Sequence, residues 1–349
     1  MTGIEESAFG QHNGQDVQRY TLKNRRGFVL ELTNYGATLV GLQVPDRQGR
    51  LADVVLGFDN LQGYIEHTAF FGATVGRVAN RIRDAVFSLE GEQHQLAAND
   101  GAHHLHGGRK GWDRAIWKAQ PSETAQGPSV ELSYSSPDGE EGYPGRVDAR
   151  TKYTLGHDGS LLVSMRARTD RATIVNMAHH TYWNLGGQAA GDVLDHELTL
   201  AAEFYTPGDP VVPVGHLERV ASTAFDFREP KAIGVDLRRA GGTPVGFDHN
   251  WVINGVVGAL RPVAQLRHAR SGRMLSLQSD APGAQFYSGN FLNGSIAGKG
   301  GQRYGQYAGL CLETQAFPNS INVPEWEGQV LLRPDQEYRH DMLFRFSAD

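Results

Sequence analysis

Alternation with a period of two residues runs through this chain and constrains its fold more than any single motif. The segment "SLLVSMRAR" puts Leu161, Val163, Met165 and Ala167 on one face and Ser164, Arg166 and Arg168 on the other. "EYRHDMLFRF" repeats the pattern, with Tyr338, His340, Met342, Phe344 and Phe346 set against Arg339, Asp341 and Arg345. Successive side chains of an extended backbone point to opposite faces, so each segment reads as a strand with one face buried. Asp-Gly steps at Asp138 and Asp158, a Glu-Gly step at Glu90 and 43 glycines in all supply the positive φ that tight hairpin turns require. On this reading "AVFSLEGEQHQL" is a hairpin. Helical periodicity is confined to a turn or two near "NLQGYI" and "VDLRRA". Strand following strand without intervening helices predicts an all-β chain of antiparallel sheets packed face to face.

No internal repeat, low-complexity linker or abrupt change of composition divides the 349 residues, so the expectation is one domain over 1–349. With 33 basic and 39 acidic residues and no long run of like charge, nothing points to nucleic acid or a membrane surface as partner. The single cysteine, Cys311, excludes an internal disulfide framework. The opening "MTGIEESAFG" is acidic where a secretory signal would be basic and apolar, and no stretch stays apolar for about 20 residues. These features lead us to expect a soluble cytoplasmic protein, and the sequon "NGS" at Asn293 is set aside on that ground. The Gly-rich "SIAGKGGQRYGQYAG" reads as a long surface loop. It lacks both the Lys-Ser/Thr ending of a phosphate loop and the spacing of a dinucleotide turn, so no nucleotide cofactor is expected.

Two histidines stand side by side in "VNMAHHTYWNLGG". Alternation gives one face His180, Tyr182 and Asn184 and the other His179, Thr181 and Trp183, so one strand cannot aim both imidazoles at a common point. Asn80 and Arg81 in "GRVANRI" have an equally good reading as surface strand positions, with Arg81 and Arg83 on one side. In "HHLHGG", beside His103, an H-x-H pair on a strand puts His104 and His106 together, and Asp248, His249 and Glu313 are available as further metal ligands. Lys110 stands where a cupin would have its glutamate, which argues against a metal site. Glu313 lies on the apolar strand "AGLCLET", where a buried carboxylate is costly unless paired, and that cost makes it a candidate for function. Asp248 in "GFDHNW" also reads as a turn residue, and Gln285 in "GAQFYSGNF" as a polar strand position. Asp248 and Glu313 alone would allow a glycosidase pair.

Taken in order, "NYGATL", "GRVANRI", "LHGG", "GYPG", "HHTYWNL", "GFDHN", "QFYSGNFL" and "CLETQAFPN" resemble the aldose 1-epimerase family, the galactose mutarotases, from about Asn34 to Asn322. The resemblance implies a β-supersandwich with an open sugar cleft, no cofactor and no essential metal. It further implies His180 as general acid and Glu313 as general base. Asn80, Arg81, His106, Tyr182, Asp248 and Gln285 fall where the family holds sugar hydroxyls. His179 departs from the pattern, since many members carry asparagine there, and it is expected to be expendable for the chemistry. The partner implied is a free aldose, and the chain is expected to be a monomer or weak homodimer.

The residue types suit this chemistry, since a carboxylate is ready to accept a proton at neutral pH and an imidazolium needs only modest help to persist there. Asp248 and Glu313 are expected to give that help by raising the His180 pKa. Three rivals stay open on the sequence: a sugar-binding module without catalysis, an epimerase of hexose 6-phosphates, and a glycosidase.

Overall fold

The computed structural model of the chain describes residues 2–208, 212, 213 and 215–349. The alternating segments form the strands expected of them: "SLLVSMRAR" lies within Ser160–Thr169 and "EYRHDMLFRF" opens the strand Tyr338–Ala348. Val86–Leu89 and Glu92–Gln95 form the hairpin, and the two short helical stretches are Leu61–Glu66 and Leu237–Ala240. The Gly-rich segment is irregular apart from one turn at Lys299–Gly301, and a 2.6 Å ion pair from Lys299 to Asp53 ties it down.

Three antiparallel sheets make up the body. In the largest, of nine strands, the C-terminal strand Tyr338–Ala348 sits centrally between Ser160–Thr169 and Arg273–Ser279. A five-stranded meander runs from Gly3–His12 to Leu51–Asp53. The six-stranded sheet has the order Tyr182–Trp183, Leu310–Gln315, Gly283–Tyr287, Asp248–Ile253, Ala202–Thr206, Glu218–Arg219. The inner faces of all three meet in one hydrophobic cluster, with Leu30 and Leu42 from the meander, Leu161, Met165 and Phe344 from the nine strands, and Trp251, Phe286 and Leu312 from the six. Trp183 seals the contact, its ring 5.3 Å from Phe344 and 5.7 Å from Phe346. This stacking of large sheets is the expected β-supersandwich.

Register decides what the six-stranded sheet shows on each side. Tyr182 pairs with Cys311, Cys311 with Tyr287 and Tyr287 with Asp248, and on the next row Glu313 pairs with Gln285 and Gln285 with Asn250. Directly paired residues share a face, as do residues two apart. All of these therefore point one way, while Leu310, Leu312, Phe286 and Trp251 point into the core.

Candidate active site

The stretch around the paired histidines is two short strands rather than one. Ala178–His180 pairs with Ala73–Val75, and Tyr182–Trp183 then pairs with Leu310 and Cys311. Alternation survives the change of partner. His180 and Tyr182 lie on the same side with rings 5.2 Å apart, nearly parallel. His179 points the opposite way, its Nε2 2.6 Å from the Thr181 hydroxyl, its ring 6.2 Å from that of Phe344. Asn184 leaves the expected face, because the chain turns after Trp183 and its amide donates to the carbonyls of Gly191 and Ala308 instead.

His180 and Tyr182 open onto a cavity of about 450 Å³, which Asn80, Arg81, His106, Asp248, Gln285 and Glu313 also line. The sheet register delivers Tyr182, Asp248, Gln285 and Glu313 directly. The short strand Arg81–Ile82, paired with His104–Leu105, brings in Arg81, and Asn80 sits just before it with φ of 61°. The expected H-x-H pair does not form. The strand ends at Leu105 and His106 adopts φ of 50°, so His104 turns inward to Tyr143 and the Ala97 carbonyl while His106 faces His180 at 5.1 Å. "LHGG" needs its first glycine here, because a Cβ on Gly107, at φ of 85°, would lie 1.8 Å from the Gly76 carbonyl oxygen.

Hydrogen bonds settle which nitrogen of His106 faces the cavity as a donor. The Asn80 N–H donates to Nδ1 at 3.1 Å, so the proton of the neutral ring sits on Nε2. His106, His180 and Glu313 place ligand-type atoms within 4.8 Å of one another. A metal would need the lone pair of His106 Nε2, and the Asn80 bond places a proton there instead. His106 is thus better suited to donating a hydrogen bond to a hydroxyl.

Glu313 Oε1 lies 3.7 Å from His180 Nε2, and its Oε2 is buried without a partner. Burial pushes the Glu313 pKa well above the usual carboxylate range, Asp248 adds repulsion and Arg81 opposes it. Burial also lowers the His180 pKa to about 4, which reverses the expectation that acidic neighbours raise it. With both groups almost wholly out of water, loss of hydration of the charged forms outweighs the attraction between them. Burial thus disfavours the charged form of each group, and passing a proton from a protonated Glu313 to a neutral His180 gives the ion pair without changing the total. Burial likewise drives the His106 pKa well below its ordinary value, with His180 and Arg81 repelling a further charge.

Asp248 accepts from Gln285 Nε2 at 2.7 Å and lies 3.8 Å from Arg81 Nη1. Arg81 Nε donates to Asp100 at 2.7 Å, an interaction the sequence did not announce. Phe70, Tyr287 and Phe291 also line the cavity unforeseen. Tyr287 was recoverable, being two residues from Gln285 on the same face, whereas no local pattern marks Asp100 or Phe70.

A family profile described as aldose 1-epimerase matches residues 18–345. The chain belongs to the aldose 1-epimerase family. It is 42% identical to galactose mutarotase of Bos taurus over 351 residues and 41% identical to that of Homo sapiens, covering 100% of both chains in each case. Aldose 1-epimerase of Escherichia coli K12 is 34% identical over 97% of each chain. Among solved structures, galactose 1-epimerase from Lactobacillus acidophilus superposes with a TM-score of 0.88 at 30% identity, covering 100% of this chain and 99% of that one. This aldose 1-epimerase is accordingly an isomerase of the epimerase class. Among the described residues, no helix is long and apolar enough to cross a membrane.

Proposed function

We propose that the protein interconverts the α and β anomers of free hexoses such as D-galactose and D-glucose, with His180 as general acid and Glu313 as general base. The observation that carries this reading is the facing of His180 Nε2 and Glu313 Oε1, 3.7 Å apart on one cavity wall, with the second Glu313 oxygen unpartnered. A proton passed from Glu313 to His180 leaves a carboxylate ready for the C1 hydroxyl proton and an imidazolium ready to protonate the ring oxygen. The C1–O5 bond then breaks and O1 becomes the aldehyde oxygen. Rotation about C1–C2 presents the other carbonyl face. As O5 attacks C1 it returns its proton to His180, and Glu313 gives a proton back to O1. The donor Nε2–H of His106 and the Arg81 guanidinium stabilise charge that develops on these oxygens. Asn80, Asp248 and Gln285 hold ring hydroxyls, and Tyr182, stacked on His180, packs against the sugar.

Because anomerisation already proceeds unaided in water, acid–base catalysis worth on the order of 10² to 10⁴ per group suffices without a cofactor. A glycosidase role for Asp248 and Glu313 is disfavoured, because the group that faces Glu313 at 3.7 Å is the His180 imidazole rather than a second carboxyl. We further read the chain as a single domain, since one core cluster draws on residues from Tyr20 to Phe346, and assign it to the cytoplasm as a monomer or weak homodimer, its lone cysteine being a buried thiol. Polarimetry of freshly dissolved α-D-galactose, with a chelator present, tests the activity. Approach to equilibrium at the rate of buffer alone would overturn this reading and leave a non-catalytic sugar-binding role or an epimerase of hexose 6-phosphates.

A further inference from the structure

Asp100 changes the charge of the cleft. Its Oδ2 accepts from Arg81 Nε at 2.7 Å, while Arg81 Nη1 faces Asp248 Oδ2 at 3.8 Å. One guanidinium thus lies between two carboxylates, and Asp100 stays partly exposed with 37% of its side chain in solvent. Among the described residues lining the cavity, Arg81 is the one lysine or arginine, against the carboxyl groups of Glu66, Asp100, Asp248 and Glu313. An arginine with a free edge is a natural bidentate site for a carboxylate or phosphate. Here the Nε position of that fork is already taken.

We infer that Asp100 sets the substrate class of this cleft: by neutralising Arg81 it reserves the site for uncharged aldoses and turns away sugars that carry a carboxylate or phosphate. The inference rests on the anomerase reading above and deepens it. An anion drawn within several ångströms of Asp100 is repelled, and among the described lining residues no free cation compensates. Solvent beside the half-exposed carboxylate and salt screening bring the discrimination due to this one charge to about tenfold. An uncharged hydroxyl-bearing ring meets no such barrier and uses the same groups as hydrogen-bond partners.

The test compares kcat/KM for D-galactose, D-galacturonate and D-galactose 6-phosphate by polarimetry, in the wild type and in Asp100→Asn. The wild type should favour the neutral sugar by tenfold or more. Asp100→Asn should shift the anionic-to-neutral ratio about tenfold toward the anionic sugars, while turnover of D-galactose falls a fewfold because Arg81 loses one of its holds. Asp100→Ser should give the same shift in ratio, which separates charge from the shape of one substituent. An unchanged ratio in both variants, or a wild type that turns over the anionic sugars as well as D-galactose, overturns the inference while leaving the anomerase reading intact. A wild type that does not accelerate D-galactose overturns the anomerase reading instead.

Discussion

On the strand Leu310–Gln315 and its partner Gly283–Tyr287, Leu312 and Phe286 pack into the main core, while Cys311, Glu313 and Gln285 face the cavity side. The two sides treat polar atoms differently. On the core side the one polar residue of the strand, Thr314, shares a 2.8 Å hydrogen bond with His340. On the cavity side Asn250 Oδ1, Gln285 Oε1, Glu313 Oε2 and both amide atoms of Gln315 are buried without partners. Each such group costs about 1–3 kcal/mol. The core side stabilises the sheet against that cost, and of the groups on the other side Gln285 and Glu313 line the cavity, where they keep hydrogen-bonding capacity. The adjacent histidines divide the same way, His180 toward the cavity and His179 toward Tyr153 and Phe344.

Substitutions on opposite sides should therefore separate rate from stability. The largest effect belongs to Glu313→Gln and His180→Asn, which should each lower kcat/KM for anomerisation by about 10² to 10⁴ while the melting temperature stays near wild type. A loss of less than tenfold in either would break the contrast. Leu312→Ala, one residue away and facing the core, should cost about 2–5 kcal/mol in urea unfolding with the rate per folded molecule retained.

His179→Asn should be intermediate. Its imidazole is buried and bonded to Thr181, so its loss should cost about 1–3 kcal/mol of stability with kcat unchanged. The residue is dispensable for the chemistry on this view, but not for the fold. If kcat falls with His179→Asn as far as with His180→Asn, the division of the two faces is wrong.

The smallest effect is a pH dependence. Burial, with repulsion from His180 and His340, lowers the His179 pKa to about 3. The unfolded chain binds this proton below its ordinary value of about 6.5 and the folded chain refuses it. The contribution of His179 is thus complete above that pH and is lost as the pH falls toward 3. At pH 5.5 the loss should be about 1.4 kcal/mol, and denaturant titrations at pH 7 and pH 5.5 should show a shallower decline in His179→Asn. An identical decline in the variant would place the acid sensitivity elsewhere.

Much of the fold was legible because its signals are local. Val163 and Phe344 announce strand faces through period two alone, the Glu90-Gly91 step marks its hairpin, and the parity of His179 and His180 needs only the geometry of an extended chain. The eight candidate residues came from ordered motifs and line one cavity. The misreadings came where the chain leaves the regular pattern or where solvent is excluded. His106 escaped the H-x-H rule because its backbone is left-handed, and Asn184 because the strand had ended.

By itself, then, the sequence determined the strands, their buried faces, the family and which of two neighbouring histidines could share a cleft with Tyr182. These follow from steric preferences and alternation that act over a few residues. Only the tertiary structure decided the cross-strand rows that bring Glu313 beside Gln285, the Asp100–Arg81–Asp248 arrangement, and the burial that disfavours charge on both His180 and Glu313. Those depend on distance between remote segments and on exclusion of water, and neither quantity exists until the sheets have packed.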